Sequence, residues 1–110
     1  MILALDLDGT IDELPEFFRQ LTTAWSDKVF IITFRLDQEH AEEYARRLGV
    51  RFDALYLASS HQDKGRILKE IGARVFIEDS DEAIHSISQD IFVLKVRHID
   101  NYDFLRNQWT

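Results

Sequence analysis

Apolar and polar positions follow two rhythms along this chain: short continuous apolar runs, and longer stretches in which apolar residues recur every three or four positions. The first run, Ile2 to Leu5, is bounded by turn chemistry, as a strand buried on both faces of a parallel sheet would be. Four more strands are predicted at "KVFIITF", "FDALYL", "ARVFI" and "IFVLKV". Between them the helical period takes over. Leu14, Phe17, Phe18, Leu21 and Trp25 share one helical face suited to core packing, with Pro15 tolerable in the first turn. A second helix, about Asp37 to Leu48, turns Ala41, Tyr44, Ala45 and Leu48 inward and stops at Gly49. "KGRILKEIG" predicts a third, with Ile67, Leu68 and Ile71 on one face. Ser80 can cap a short fourth helix holding Ala83, Ile84 and Ile87. A last helix is expected near Tyr102 to Trp109.

Strands separated by helices of about ten residues imply right-handed crossovers and a parallel sheet covered on both faces. The expected class is α/β: one three-layer, Rossmann-like domain over residues 1–110 with a mainly parallel five-stranded sheet. Only four glycines and one proline punctuate the 110 residues, with no linker or internal repeat, so a single core is the natural outcome.

Charge and composition narrow the function. Thirteen Lys and Arg against twenty Asp and Glu leave a net charge of -7 and no basic stripe to track a nucleic-acid backbone. A metal ion could still bring a phosphate to an acidic site. The absence of cysteine removes disulfides and thiolate chemistry. No apolar run approaches the roughly 20 residues of a membrane helix. With the first strand starting at residue 2, no leader is expected and a cytoplasmic location follows.

In open parallel sheets, sites form beyond the carboxyl ends of the strands, where strand order reverses. Those ends carry Asp6 and Asp8, then Thr33 and Arg35, then Ser59, Ser60 and His61, then Glu78 and Asp79, with Lys64 opening the helix before the fourth strand. In strand geometry Asp6 and Asp8 project to the same side and would meet at one place. Paired acids either point apart into water or demand a cation.

Phosphoryl transfer uses this mixture. Mg2+ binds a few carboxylates and neutralises a phosphate dianion. One aspartate can then attack phosphorus, while a second acid protonates the leaving oxygen and later activates water. Thr33 and Lys64 would hold the transferring group through a hydroxyl and a point charge.

"LDLDGT", then "IITF", then Lys64 ahead of "VFIEDSDEA" resembles the haloacid dehalogenase superfamily, motif by motif and in order, over nearly the whole chain. The resemblance implies that Asp6 is the nucleophile and Asp8 the general acid/base, that Thr33 binds the phosphoryl group, and that Lys64 steadies nucleophile and phosphate. It further implies that Mg2+ is held by Asp6, the Asp8 backbone carbonyl and Asp79, with Glu78 reaching the metal less directly. Two departures stand out. Glu78-Asp79 replaces the aspartate pair common in the family, and neither connection between motifs is long enough for a cap domain. Asp8 argues against dehalogenation, because the family's dehalogenases lack a second aspartate there.

Without a cap, a phosphorylated substrate of unspecified identity would meet an open site. Arg35 could contact its phosphate or a carboxylate, or serve as an ion-pair member. His61 could touch a leaving group, although a loop histidine with no metal-spaced partner is usually incidental, and His40, His85 and His98 share no metal spacing. Ser59 and Ser60 read as cap chemistry. A non-enzymatic alternative is a metal- or phosphate-binding module that acts through a protein partner. A phospho-acceptor receiver domain fits poorly, because Asp53 begins a strand where an acceptor should end one.

Overall fold

Five strands, all parallel, form the sheet at the centre of the computed structural model, which describes residues 1–110. In chain order these are β1 (Ile2–Leu5), β2 (Val29–Thr33), β3 (Ala54–Leu57), β4 (Ala73–Glu78) and β5 (Phe92–Lys95), and their spatial order is β3-β2-β1-β4-β5. The helices between them are α1 (Pro15–Ala24), α2 (Gln38–Arg47), α3 (His61–Glu70) and α4 (Asp81–His85). The expected α/β architecture is therefore present, with β1 flanked by β2 and β4, so strand order reverses beside β1.

The two-residue period of a strand divides the core. Leu3 and Leu5 of β1 join Phe18, Val29, Ile31, Ala41, Ala45 and Leu55 on the α1/α2 side. Ala4 faces the other way, with Ile32, Ile67, Leu68 and Phe76 on the α3 side. Each Leu, Ile, Val or Phe among them, taken from water, contributes about 1.5–3 kcal/mol, which explains why the apolar runs of β1 and β2 show no polar alternation.

Local chemistry sets the helix boundaries. Asp37 caps α2, its carboxylate accepting from the His40 N–H. α3 starts three residues earlier than its apolar pattern suggests, because Ser60 Oγ accepts from the Asp63 N–H at 3.0 Å while Asp63 accepts from the Ser59 N–H at 2.8 Å. Ser59 and Ser60 are thus cap residues, and Lys64 sits within the first helical turn. Ser80 precedes α4 but, contrary to expectation, makes no side-chain cap bond; beside it, Glu78 Oε1 accepts from the Asp79 and Ser80 N–H groups.

Two expectations need correction. Of the apolar face of α1, Phe18 is buried, but Leu14 and Phe17 are 55% and 49% exposed. They line an open groove that they share with Ile77 of β4 and Leu94 of the edge strand β5. The helix expected near Tyr102 to Trp109 is instead a 3-10 turn, Ile99–Asn101, followed by an antiparallel hairpin of β6 (Tyr102–Asp103) and β7 (Gln108–Trp109). Asp103 Oδ1 accepts from the Leu105 and Arg106 N–H groups, Asn107 takes a left-handed conformation at φ 56, and the Tyr102 and Trp109 rings meet across the strands. Turn chemistry and a cross-strand aromatic pair prevail over a helix with no surface to bury: Phe104 and Leu105 are exposed.

No helix is long and apolar enough to cross a membrane. Between β1 and β2, and between β2 and β4, the connections hold only a 3-10 turn (Ile11–Glu13), α1, α2, β3 and α3, with no inserted domain over the carboxyl ends of the strands.

Candidate functional site

At the end of β1 the chain leaves the sheet immediately. Asp6 still donates its N–H to Ile77 O at 3.0 Å, but the Leu7 carbonyl then accepts from the N–H groups of Thr10 and Ile11, closing a helical turn on the buried Leu7 side chain. This turn separates the two aspartates. Asp6 is buried at the sheet edge, whereas the Asp8 side chain is half exposed and lies at the rim. Because the strand ends at Leu5, this turn and not strand geometry places the two acids, one buried and one at the rim. Both still line one pocket of about 210 Å³, together with Thr33, Phe34, Lys64, Glu78, Asp79 and Ser80.

Lys64 organises the floor. Its side chain is 1% exposed, and Nζ lies 3.0 Å from Asp6 Oδ1 and 2.9 Å from Glu78 Oε2, with the Phe34 ring 4.3 Å away. Burial alone would lower the lysine's affinity for its proton, but Asp6 and Glu78 outweigh it and hold its pKa above the ordinary value. The other Asp6 oxygen accepts from Thr10 Oγ1 at 3.0 Å. Burial pushes the Asp6 carboxyl well above its ordinary value; Lys64 opposes that rise and the Glu78 charge adds to it. Glu78 is raised for the same leading reason.

Asp79 completes a cluster of three acids, with Asp6 and Glu78, whose oxygens lie within 4.8 Å of one another. Burial pushes Asp79 upward, yet its Glu78, Asp6 and His98 neighbours prevail and hold it below its ordinary value. Gly9 passes so close, at φ +80, that a Cβ there would strike the Asp79 carboxylate.

Three carboxylates around one ammonium leave excess negative charge, and their donors are all hard oxygens, the set that suits Mg2+. Within that set Glu78 is already committed, one oxygen to Lys64 and the other to two backbone N–H groups. Asp6 and Asp79 are the acids that could hold a metal, Glu78 the one that fixes the lysine. The donor set fits the expected cofactor.

Thr33 ends β2, fully buried, with its hydroxyl accepting from the Arg35 N–H at 3.3 Å on the pocket wall. Arg35 is an ion-pair member: its guanidinium grips Asp8, with Nε 3.0 Å from Oδ2 and Nη2 2.8 Å from Oδ1, and packs 4.3 Å over the Tyr44 ring. Tyr44 in turn donates to Asp12 Oδ2 at 3.1 Å, and Asp12 Oδ1 accepts from the Gly9 N–H. α2 is thereby tied to the loop that carries Asp8. His61 lies outside the pocket lining, edge-on to Phe34 and 3.5 Å from Glu82.

Sequence reasoning missed Thr10 as an Asp6 partner, Phe34 against Lys64, and His98 and Asn101 beside Asp79. The "DGT" tripeptide marks Thr10, but nothing local marks the others, whose partners are 19 to 30 residues away.

No protein-family model, curated protein or solved structure matches the chain.

Proposed function

We propose that this protein is a Mg2+-dependent phosphohydrolase of the haloacid dehalogenase type, acting on a phosphomonoester through an aspartyl-phosphate. The observation that supports it most is the environment of Asp6: a buried carboxylate at the strand-order reversal, oriented through one oxygen by Lys64 and through the other by Thr10, facing an open pocket. Each oxygen retains a free lone pair, so neither contact blocks attack.

In the first step an Asp6 oxygen forms a bond to phosphorus as the bond to the substrate's ester oxygen breaks, and Asp8 gives that oxygen its proton. In the second, water attacks phosphorus, Asp8 takes the water's proton, and the bond between Asp6 and phosphorus breaks to release phosphate. Thr33 and Lys64 direct a hydroxyl and an ammonium toward the phosphoryl oxygens. Asp6 and Asp79 would hold Mg2+, which supplies charge neutralisation when bound. The pair with Arg35 sets the rim position from which Asp8 would meet the reacting oxygen. The pocket has no cap, and substrate selection falls to its rim.

One observation favours a second reading, a metal- or phosphate-binding module without useful turnover: Asp8 is engaged by Arg35 and Lys64 by two acids. Hydrolysis of an aryl phosphate and a panel of phosphorylated metabolites separates the two. Turnover that requires Mg2+ and disappears in Asp6→Asn is expected. Full activity in Asp6→Asn overturns the covalent mechanism, and metal binding with no turnover across the panel favours the binding module.

A further inference from the structure

The chain after β5 returns to the pocket rather than leaving the sheet. The Val96 N–H donates to Glu78 O at 2.9 Å, extending the parallel ladder past the last strand residue. His98 then lies with Nε2 3.3 Å from Asp79 Oδ2, and Asn101 Nδ2 donates to the Asp79 backbone carbonyl. The Thr110 N–H donates to Asn101 O at 2.7 Å, so the hairpin buttresses the turn that carries Asn101. On the far side of the ring, His98 Nδ1 is buried and 3.5 Å from Glu13 Oε1. The imidazole is therefore wedged between the Asp79 carboxylate and the turn that follows Asp8.

We propose that His98 is a positioning residue for Asp79: through Nε2–H it fixes the carboxylate in the orientation that presents its other oxygen to a divalent cation, with Asn101 fixing the backbone beneath. The inference rests on reading Asp79 as a metal ligand. Three features carry it. First, His98 engages Asp79 through Oδ2 alone, and a carboxylate oxygen of Asp79 lies within 4.8 Å of one from Asp6, close enough for a cation to bridge the two acids. Second, the Gly9 backbone passes close to the same oxygen, so that a Cβ there would strike Asp79 Oδ2, and the carboxylate has little room to turn away from His98. Third, the tautomer is constrained: Asp79 Oδ2 can only accept, so the proton sits on Nε2. Carboxylates that ligate metals are held by such outer partners, and loss of one typically weakens metal affinity about 10- to 100-fold.

Mn2+ binding followed by EPR at fixed pH tests this independently of turnover, with Mn2+ as an oxygen-seeking stand-in for Mg2+. His98→Ala is expected to raise the Mn2+ Kd by about tenfold or more. His98→Gln, whose amide N–H reaches the same place, should recover most of that loss. Thermal unfolding in chelator reports whether each variant is folded, and should change far less than the Mn2+ affinity. A purely structural role predicts the opposite: unfolding shifts for both variants with no rescue of affinity by Gln. Asp79→Asn is the control that separates the two levels. If wild type binds no Mn2+, or binds it as well in Asp79→Asn, the metal site itself is wrong. If wild type binds, Asp79→Asn does not, and both His98 variants bind as wild type does, only the positioning role is overturned. Should His98→Ala fail to fold, His98→Phe, which fills the same space without the N–H, takes its place, and a wild-type Mn2+ Kd in that folded variant overturns the positioning role equally.

Discussion

Arg35 and Asp8, 27 residues apart, meet in a two-pronged ion pair at the pocket rim, with Nη2 and Nε at 2.8 and 3.0 Å from the two carboxylate oxygens. Planar guanidinium and carboxylate groups fit each other in this geometry, which a lysine cannot reproduce. The pair joins the loop after β1 to the end of β2, and Tyr44 stacks behind it. It thus determines where the proposed acid/base group rests between turnovers.

Arg35→Lys is expected to change stability by at most about 1 kcal/mol, because a solvent-facing pair is worth little. Turnover should fall by about tenfold or more, a share of the roughly 100- to 10,000-fold that a placed acid/base group supplies. Urea unfolding and steady-state kinetics on the same preparation check both. Turnover equal to wild type would mean that Asp8 finds its place without Arg35.

Removal of the buried cation should be far more costly. Lys64 neutralises two acids that have no water to turn to, so Lys64→Ala leaves Asp6 and Glu78 facing each other without a counter-charge. Breaking a buried pair from one side typically costs about 3–5 kcal/mol. Urea unfolding in chelator should show a loss of that order, and Mg2+ should restore part of it. A loss below about 1 kcal/mol would mean that the cluster relaxes into solvent and that Lys64 is not its keystone.

Protonation of Asp6 gives a third test, with a definite sign. Its pKa is raised on folding, so the folded protein binds that proton more tightly than the unfolded chain does, and the stability this lends is present below the ordinary aspartate value of 3.8 and lost as pH rises through the raised one. Asp6→Asn mimics the protonated form at every pH. In chelator, its Tm relative to wild type should therefore increase as pH rises from acid toward neutrality, and Mg2+ should reduce that difference by favouring the ionised wild-type carboxylate. A relative Tm that falls with pH would contradict the raised pKa.

The sequence by itself determined the five strands, the α/β class and the strand-end positions of Asp6, Thr33, Glu78 and Asp79, because apolar runs and helical periods are local signals of burial and the site rule follows from parallel topology. It also determined Lys64 as a first-turn residue near that edge, since helix period and chain order suffice to place it there. Only the tertiary structure decided what these residues do to one another. The turn at Leu7 leaves Asp6 buried and Asp8 at the rim, Glu78 is taken by Lys64 and not left for a cation, and His98, with no sequence spacing to mark it, arrives at Asp79 by way of β5. The C-terminal hairpin belongs to the same category: "NYDFLRNQWT" has the apolar spacing of a helix, and the outcome was set by whether a surface existed to bury that face. Burial patterns are written residue by residue, whereas ion pairs and outer-shell contacts depend on which chain ends the sheet order brings together, and that order is a property of the whole fold.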